Sequence, residues 1–366
     1  MHKGREFLPG SGGHQSQSTG YHYNLGTMPL IIAQIEVTTA LALLIGGIVM
    51  LVLGGNWLVE GSVIIARRLG VSPLIIGLTI VAFGTSAPEL ALNITAALLD
   101  HGELSFGNVV GSNIANIGLV LGFGAMMAPL LVSSQIINRE LPWLIGVTVF
   151  MTVIPFVSGF FLESPEGYGI VPGVVLILIF FAFTLMWYRQ GQRDRRDPLL
   201  REASAELGEE RKRGIPMALM FFLLGLGLLV CGGWGAEKGA VSIAEWLGWS
   251  DALIGLTIVA IATSLPEAAT TFAACRKGHT DLAVGNIVGS NLFNILLVLG
   301  ATTIVAPVPL PTPWGVWDLL IMLGFTVILL PITRSDRKVS RREGLLLLLC
   351  YVGYLAFTVL RETAFP

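Results

Sequence analysis

Residues 77–122, GLTIVAFGTSAPELALNITAALLDHGELSFGNVVGSNIANIGLVLG, occur a second time at 255–300 as GLTIVAIATSLPEAATTFAACRKGHTDLAVGNIVGSNLFNILLVLG. The two segments align without a gap at a constant offset of 178, with 26 of 46 positions identical. Self-similarity of this kind means that one structural unit is used twice. The match extends weakly upstream, where Gly54 and Gly55 correspond to Gly232 and Gly233, and Gly61 to Gly239. Any fold for this chain must therefore hold two equivalent halves.

The surrounding composition sets the solvent. Of 366 residues, 54% are hydrophobic and 13% charged, against about 25% charged in an ordinary soluble domain. The charges are clumped, and stretches such as 37–59 and 141–162 carry none. The hydrocarbon core of a bilayer takes roughly 20 apolar residues per helix. An all-α polytopic membrane protein embedded in lipid is expected, with ten transmembrane helices near 37–66, 71–99, 104–131, 141–158, 167–188, 215–246, 250–275, 280–307, 315–333 and 344–361. Residues 1–36 read as a polar, disordered tail, and Met28 is a candidate start. The first five spans cover 37–188, a charged linker covers 189–214, and the second five cover 215–366.

Basic residues concentrate on the cytoplasmic side of membrane proteins. With the linker cytoplasmic, 18 of the 22 Lys and Arg residues fall in inner connections. Both termini are then outside, in a plasma membrane or a bacterial inner membrane. The first copy of the repeat begins on span two and the second on span seven. An odd number of spans between them turns the halves into inverted five-helix repeats, the plan of secondary transporters whose sites lie near the midplane on interrupted helices.

Composition also excludes some function classes. A net charge of -2 and the lack of a basic stripe argue against a nucleic-acid partner. Cys231, Cys275 and Cys350 have no paired spacing and read as small core residues. No HExxH motif is present and the five histidines fall in the tail or loops, so an enzyme is not expected and no cofactor is called for.

Polar residues cluster where the spans should be most apolar. Gly84-Thr85-Ser86-Ala87-Pro88-Glu89 has its counterpart in Ala262-Thr263-Ser264-Leu265-Pro266-Glu267. Proline inside a helix removes a hydrogen bond and clashes with the preceding turn, so Pro88 and Pro266 should break their spans. Freed carbonyls, hydroxyls and a carboxylate then gather at one depth, a hard-oxygen set suited to Ca²⁺ or Na⁺. A charge at the bilayer centre costs at least about 2.5–3.5 kcal/mol on insertion scales. Glu89 and Glu267 have no basic residue nearby in sequence to offset it, which implies an exchangeable cation or protons. In the second cluster, Ser112 and Asn116 share one helix face, as do Ser290 and Asn294. The glycines there, Gly107 and Gly111 with Gly285 and Gly289, have the spacing of close helix packing and are equally candidates for the site.

The paired TS-x-PE and GN-xx-GSN-xx-N motifs resemble the alpha repeats of sodium/calcium exchangers, within the calcium/cation antiporter superfamily, and the short linker resembles that of bacterial members. The resemblance implies that the helices bearing Glu89 and Glu267 cross at the centre. It also implies that both glutamates, with oxygens of Thr85 and Thr263, hold calcium. Ser86, Ser264, Ser112, Ser290, Asn116 and Asn294 would complete the sodium positions. Many relatives, especially those that co-transport potassium, carry Asp where this chain has Asn294, so potassium dependence is not expected. The expected function is calcium exchange for sodium by alternating access. A proton-coupled calcium/cation antiporter is the alternative, and a cation channel the more distant one.

Overall fold

The computed structural model describes residues 28–99, 101–161, 167–194, 214–248 and 260–364. Residues 1–27 of the expected 1–36 tail, the body of the linker at 195–213 and residues 250–259 of the seventh span lie outside the described residues, while residues 28–36 of the expected tail are helical.

The described chain is nearly all helix. α1 (Met28–Leu69) leads into a broken pair, α2 (Pro73–Thr85) and α3 (Ala87–Leu98), followed by α4 (Gly102–Met127), α5 (Ile136–Val157) and α6 (Ile170–Asp194). The second half supplies α7 (Ile215–Trp246), α8 (Leu265–Arg276), α9 (Thr280–Val305), α10 (Gly315–Asp336) and α11 (Arg341–Ala364). Eight of these helices are long and apolar enough to cross a membrane, and the α2–α3 pair, bent by 41°, brings the number to nine. The seventh expected span is described only from Ala260 onward, as a short helical stretch at Ala260–Ala262 and the 12 residues of α8. α1 begins at Met28, ahead of the expected 37. Residues 28–35 are largely apolar and Pro29 falls in the first turn, where its missing N–H costs nothing. The single charge of Glu36 therefore does not end the helix.

Burial separates inner from outer helices. The apolar stretch of α9 is 94% buried and that of α4 78%, whereas those of α1 and α11 are 22% buried. Outer helices expose large apolar side chains such as Ile45, Leu178, Phe181, Leu223 and Leu349. An apolar surface this extensive requires lipid rather than water against it.

α1 and α7 show why the repeat has glycines upstream of its motifs. A Cβ on Gly54 would lie 2.8 Å from the carbonyl oxygen of Gly225, and one on Gly232 would lie 2.8 Å from that of Gly47. The offset of 178 converts Gly54 into Gly232 and Gly47 into Gly225, so these are one contact made twice. Along α1, Gly47, Gly54 and Gly61 meet Gly232, Gly225 and Ala218 in turn, so the two equivalent helices pack antiparallel. Lipid offers no hydrophobic drive for helix association, and backbone approach through small residues supplies it instead.

Two short strand pairs repeat the same relation. β1 (Leu130–Leu131) pairs antiparallel with β4 (Lys338–Val339), and β2 (Gly167–Tyr168) pairs antiparallel with β3 (Val308–Pro309). β1 and β3 are themselves 178 apart, and each fastens to the other half of the chain. Each half is thus held by the other at both strand pairs and along α1–α7.

Gly54→Ala and Gly232→Ala place a methyl group against backbone in the same contact. Each should destabilise the fold by about 1–3 kcal/mol, the usual cost of overpacking. Thermal unfolding in detergent checks this, and Gly46→Ala, where a Cβ meets nothing within 4 Å, serves as the control.

Candidate ion-binding site

The break between α2 and α3 falls at Ser86, whose backbone (φ −89°, ψ 3°) leaves the helix. Ser264 has nearly the same conformation (φ −87°, ψ 3°) before α8. Each break lies two residues before the proline, so Pro88 and Pro266 stand in the first turn of the new helix. There the missing N–H is one that would have had no intrahelical partner. Proline therefore positions the restart as well as forbidding the continuation. Glu89 and Glu267 sit in that same first turn, where the helix macrodipole favours a negative charge.

Both glutamates are buried, at 1% and 0% exposure. Glu267 Oε1 accepts from Ser86 Oγ of the other repeat at 3.2 Å and from Ser290 Oγ of its own at 3.3 Å. Ser290 Oγ also lies 3.4 Å from Thr85 Oγ1, which donates to Asn286 Oδ1 at 3.3 Å. Ser112 Oγ lies 3.3 Å from Thr263 Oγ1, again across the repeats. Asn116 Nδ2 donates to Asn291 Oδ1 at 3.0 Å. Glu89 lies within electrostatic reach of Glu267. Glu89, Ser264 and Asn294 are buried and, among the described residues, make no hydrogen bond through their side-chain polar atoms.

The structure thus joins Thr85, Ser86, Ser290 and Glu267 in one hydrogen-bonded group and Ser112 with Thr263 in another. The unpaired buried atoms are largely oxygens: both of Glu89, Oε2 of Glu267, Oγ of Ser264 and Oδ1 of Asn116. Leaving one buried polar atom unpaired costs about 1–3 kcal/mol, and more when it is charged. Among the described residues no Lys or Arg forms an ion pair with either glutamate. Nor is there a group of three His, Cys, Asp or Glu that could hold a metal ion. Two carboxylates supplemented by hydroxyl and amide oxygens are a hard-cation donor set.

Sequence reasoning missed Asn93, which supports Glu89 from behind. Its Nδ2 donates to the backbone carbonyl of Glu89 at 2.7 Å and to Asn108 Oδ1 at 2.7 Å. The equivalent Thr271 Oγ1 accepts from Asn286 Nδ2 at 3.4 Å. The available signal was a polar residue four positions after the glutamate in both repeats. A second missed pair is Glu140 and Asp318, buried acids also 178 apart. Glu140 is held by Arg139 and by Trp187 Nε1, and Asp318 by Arg361 at 2.7 and 3.0 Å. With cationic partners at hand, these two acids have no need of a mobile ion.

Residues 39–189 and 217–360 match the sequence profile of the family described as "Sodium/calcium exchanger protein". The chain belongs to the sodium/calcium exchanger family. It is 42% identical over 311 residues to CaxA of Alkalimonas amylolytica, whose name proposes an antiporter, covering 84% of this chain and 95% of that one. It is 33% identical over 348 residues to the sodium/calcium exchanger MaX1 of Methanosarcina acetivorans, covering 87% and 98%. Among solved structures it resembles the sodium-calcium exchanger NCX_Mj, with a TM-score of 0.72 at 28% identity over 87% of this chain and 98% of the other. Membership of this exchanger family makes the protein a multi-pass cation antiporter.

A cation held by the two glutamates should stabilise the fold. Calcium at about 100 times its dissociation constant should add about 2.7 kcal/mol. Thermal unfolding of the purified protein with and without calcium measures this, and Glu89→Gln and Glu267→Gln should each remove the shift.

Proposed function

We propose that the protein exchanges calcium for sodium by alternating access at the Glu89–Glu267 site. The observation that carries this reading is a pair of buried carboxylates, one from each repeat, with three of their four oxygens unpaired and no basic partner among the described residues. Taking a charge out of water costs several kcal/mol unless it is matched. One Ca²⁺ balances two carboxylates, and Na⁺ ions can do so together. An empty site with both carboxylates ionised is the costly state. Passage from one side to the other is then favoured only when the site is loaded, which makes the two fluxes exchange rather than leak.

In this reading Glu89, Glu267 and oxygens of Thr85 and Thr263 hold calcium. Ser86, Ser264, Ser112, Ser290, Asn116 and Asn294 serve the sodium ions. The fold is ten spans in two inverted five-helix repeats, and the antiparallel packing of the equivalent helices α1 and α7 supports it. The concentration of Lys and Arg in one set of connections supports outer termini and a cytoplasmic linker. The similarity to the inner membrane protein YrbG of Escherichia coli, 35% identical over 318 residues, supports an inner or plasma membrane location.

Calcium uptake into sodium-loaded proteoliposomes tests the proposal. Uptake should require internal sodium and be lost in Glu89→Gln and in Glu267→Gln. Uptake driven by a proton gradient instead would assign the other counter-ion, and passive flux with no counter-ion would indicate a channel.

A further inference from the structure

Asn291 follows Ser290 on α9 and is fully buried. Its Nδ2 donates to the backbone carbonyl of Asn113 at 3.3 Å, and its Oδ1 accepts from Asn116 Nδ2 at 3.0 Å. A backbone carbonyl accepts and never donates. Asn291 must therefore turn its NH₂ toward Asn113, which leaves its oxygen facing Asn116. Asn116 must in turn offer its own NH₂ to Asn291. Its Oδ1, buried and without a hydrogen-bond partner, is then the end left for the site. The orientation of a side-chain amide follows from its network, and here an acceptor that cannot change roles fixes the whole chain of bonds.

The equivalent bonds do not form in the other repeat. Asn113, the counterpart of Asn291, donates Nδ2 to the carbonyl of Val109 one turn back on its own helix, at 2.7 Å. Its Oδ1 and both amide atoms of Asn294 have no hydrogen-bond partner among the described residues. Asn116 is thus held with its oxygen outward before any cation arrives, whereas no hydrogen bond from the described residues holds Asn294 in either sense. An amide turned the wrong way aims N–H dipoles at a cation.

We propose that Asn291 is a positioning residue that presets Asn116 as an oxygen ligand, so that the two equivalent asparagines of the site bind cations unequally. The inference rests on the reading of Glu89 and Glu267 as an ion site. Partners that orient a metal ligand from behind are typically worth about 10–100-fold in affinity. Hold on Asn116 should matter only while residue 116 has a wrong end to present. A carboxylate there carries oxygen at both ends and needs no such hold.

Calorimetric titration of the purified full-length protein with sodium chloride, in a buffer free of calcium and initially free of sodium, tests this. Asn291→Ala should weaken sodium binding by about 10–100-fold, and Asn113→Ala should weaken it far less. In an Asn116→Asp background, Asn291→Ala should cost almost nothing further. An unchanged affinity in Asn291→Ala, or an equal loss in the Asn116→Asp background, would overturn the proposal. Should Asn291→Ala not fold, Asn291→Ser, too short to bridge both partners, replaces it. Failure of both to fold would assign Asn291 to structure alone and also overturn the proposal. Glu267→Gln separates the levels: loss of binding there upholds the ion site whatever Asn291 does, and retained binding removes the site itself.

Discussion

Two carboxyl groups buried within electrostatic reach of each other, in a protein that lipid surrounds, are the constraint on which the rest of this structure depends. Glu89 and Glu267 have no basic residue against them among the described residues, in a medium where charge is expensive. Such a pair calls for donors arranged around it and for a cation or protons to neutralise it. The hydroxyls of Ser86 and Ser290 on Glu267, the amide of Asn93 behind Glu89 and the helix N-termini under both glutamates all work in that direction. Glu140 and Asp318 make the contrast within the same molecule. Each is also buried, yet each has an arginine, and each belongs to the scaffold.

The fold supplies what the carboxylates require. A continuous helix would bury its backbone polar groups in its own hydrogen bonds and leave none for an ion. Interrupting α2 from α3 at Ser86, and restarting the second repeat at Ser264, opens the backbone at that depth. Proline in the first turn makes the interruption permanent. Asn116 and Asn294 each begin a short π-helical stretch, Asn116–Leu121 and Asn294–Leu299, a form often found at functional sites. The two halves cross-fasten through β1–β4, β2–β3 and the glycine contact of α1 with α7. A site shared between repeats is therefore built from elements that each repeat holds in place for the other.

Much of this was legible in the sequence because the repeat is ungapped. An offset of 178 locates both breaks, both glutamates and the Ser and Asn residues opposite them, and charge distribution separates spans from connections. The proline rule gave the position of the breaks to within two residues, since it marks where a helix cannot continue but not which residue takes the turn. The apolar span Val37–Leu69 begins where the charge-free run begins, and the helix that carries it extends back to Met28. Asn93 was overlooked because Thr271 stands at its equivalent position, so identity between the copies hides it while shared polarity reveals it. The split behaviour of Asn291 and Asn113 could not be read at all: the two residues are identical in sequence and differ only in which acceptor lies within reach.

The most direct test of the central claim is anomalous diffraction from crystals of the protein grown with calcium. A density peak should lie between Glu89 and Glu267, with carboxylate oxygens of both at about 2.3–2.6 Å from the ion. A calcium peak at any other place, or one that engages a single repeat, would contradict it.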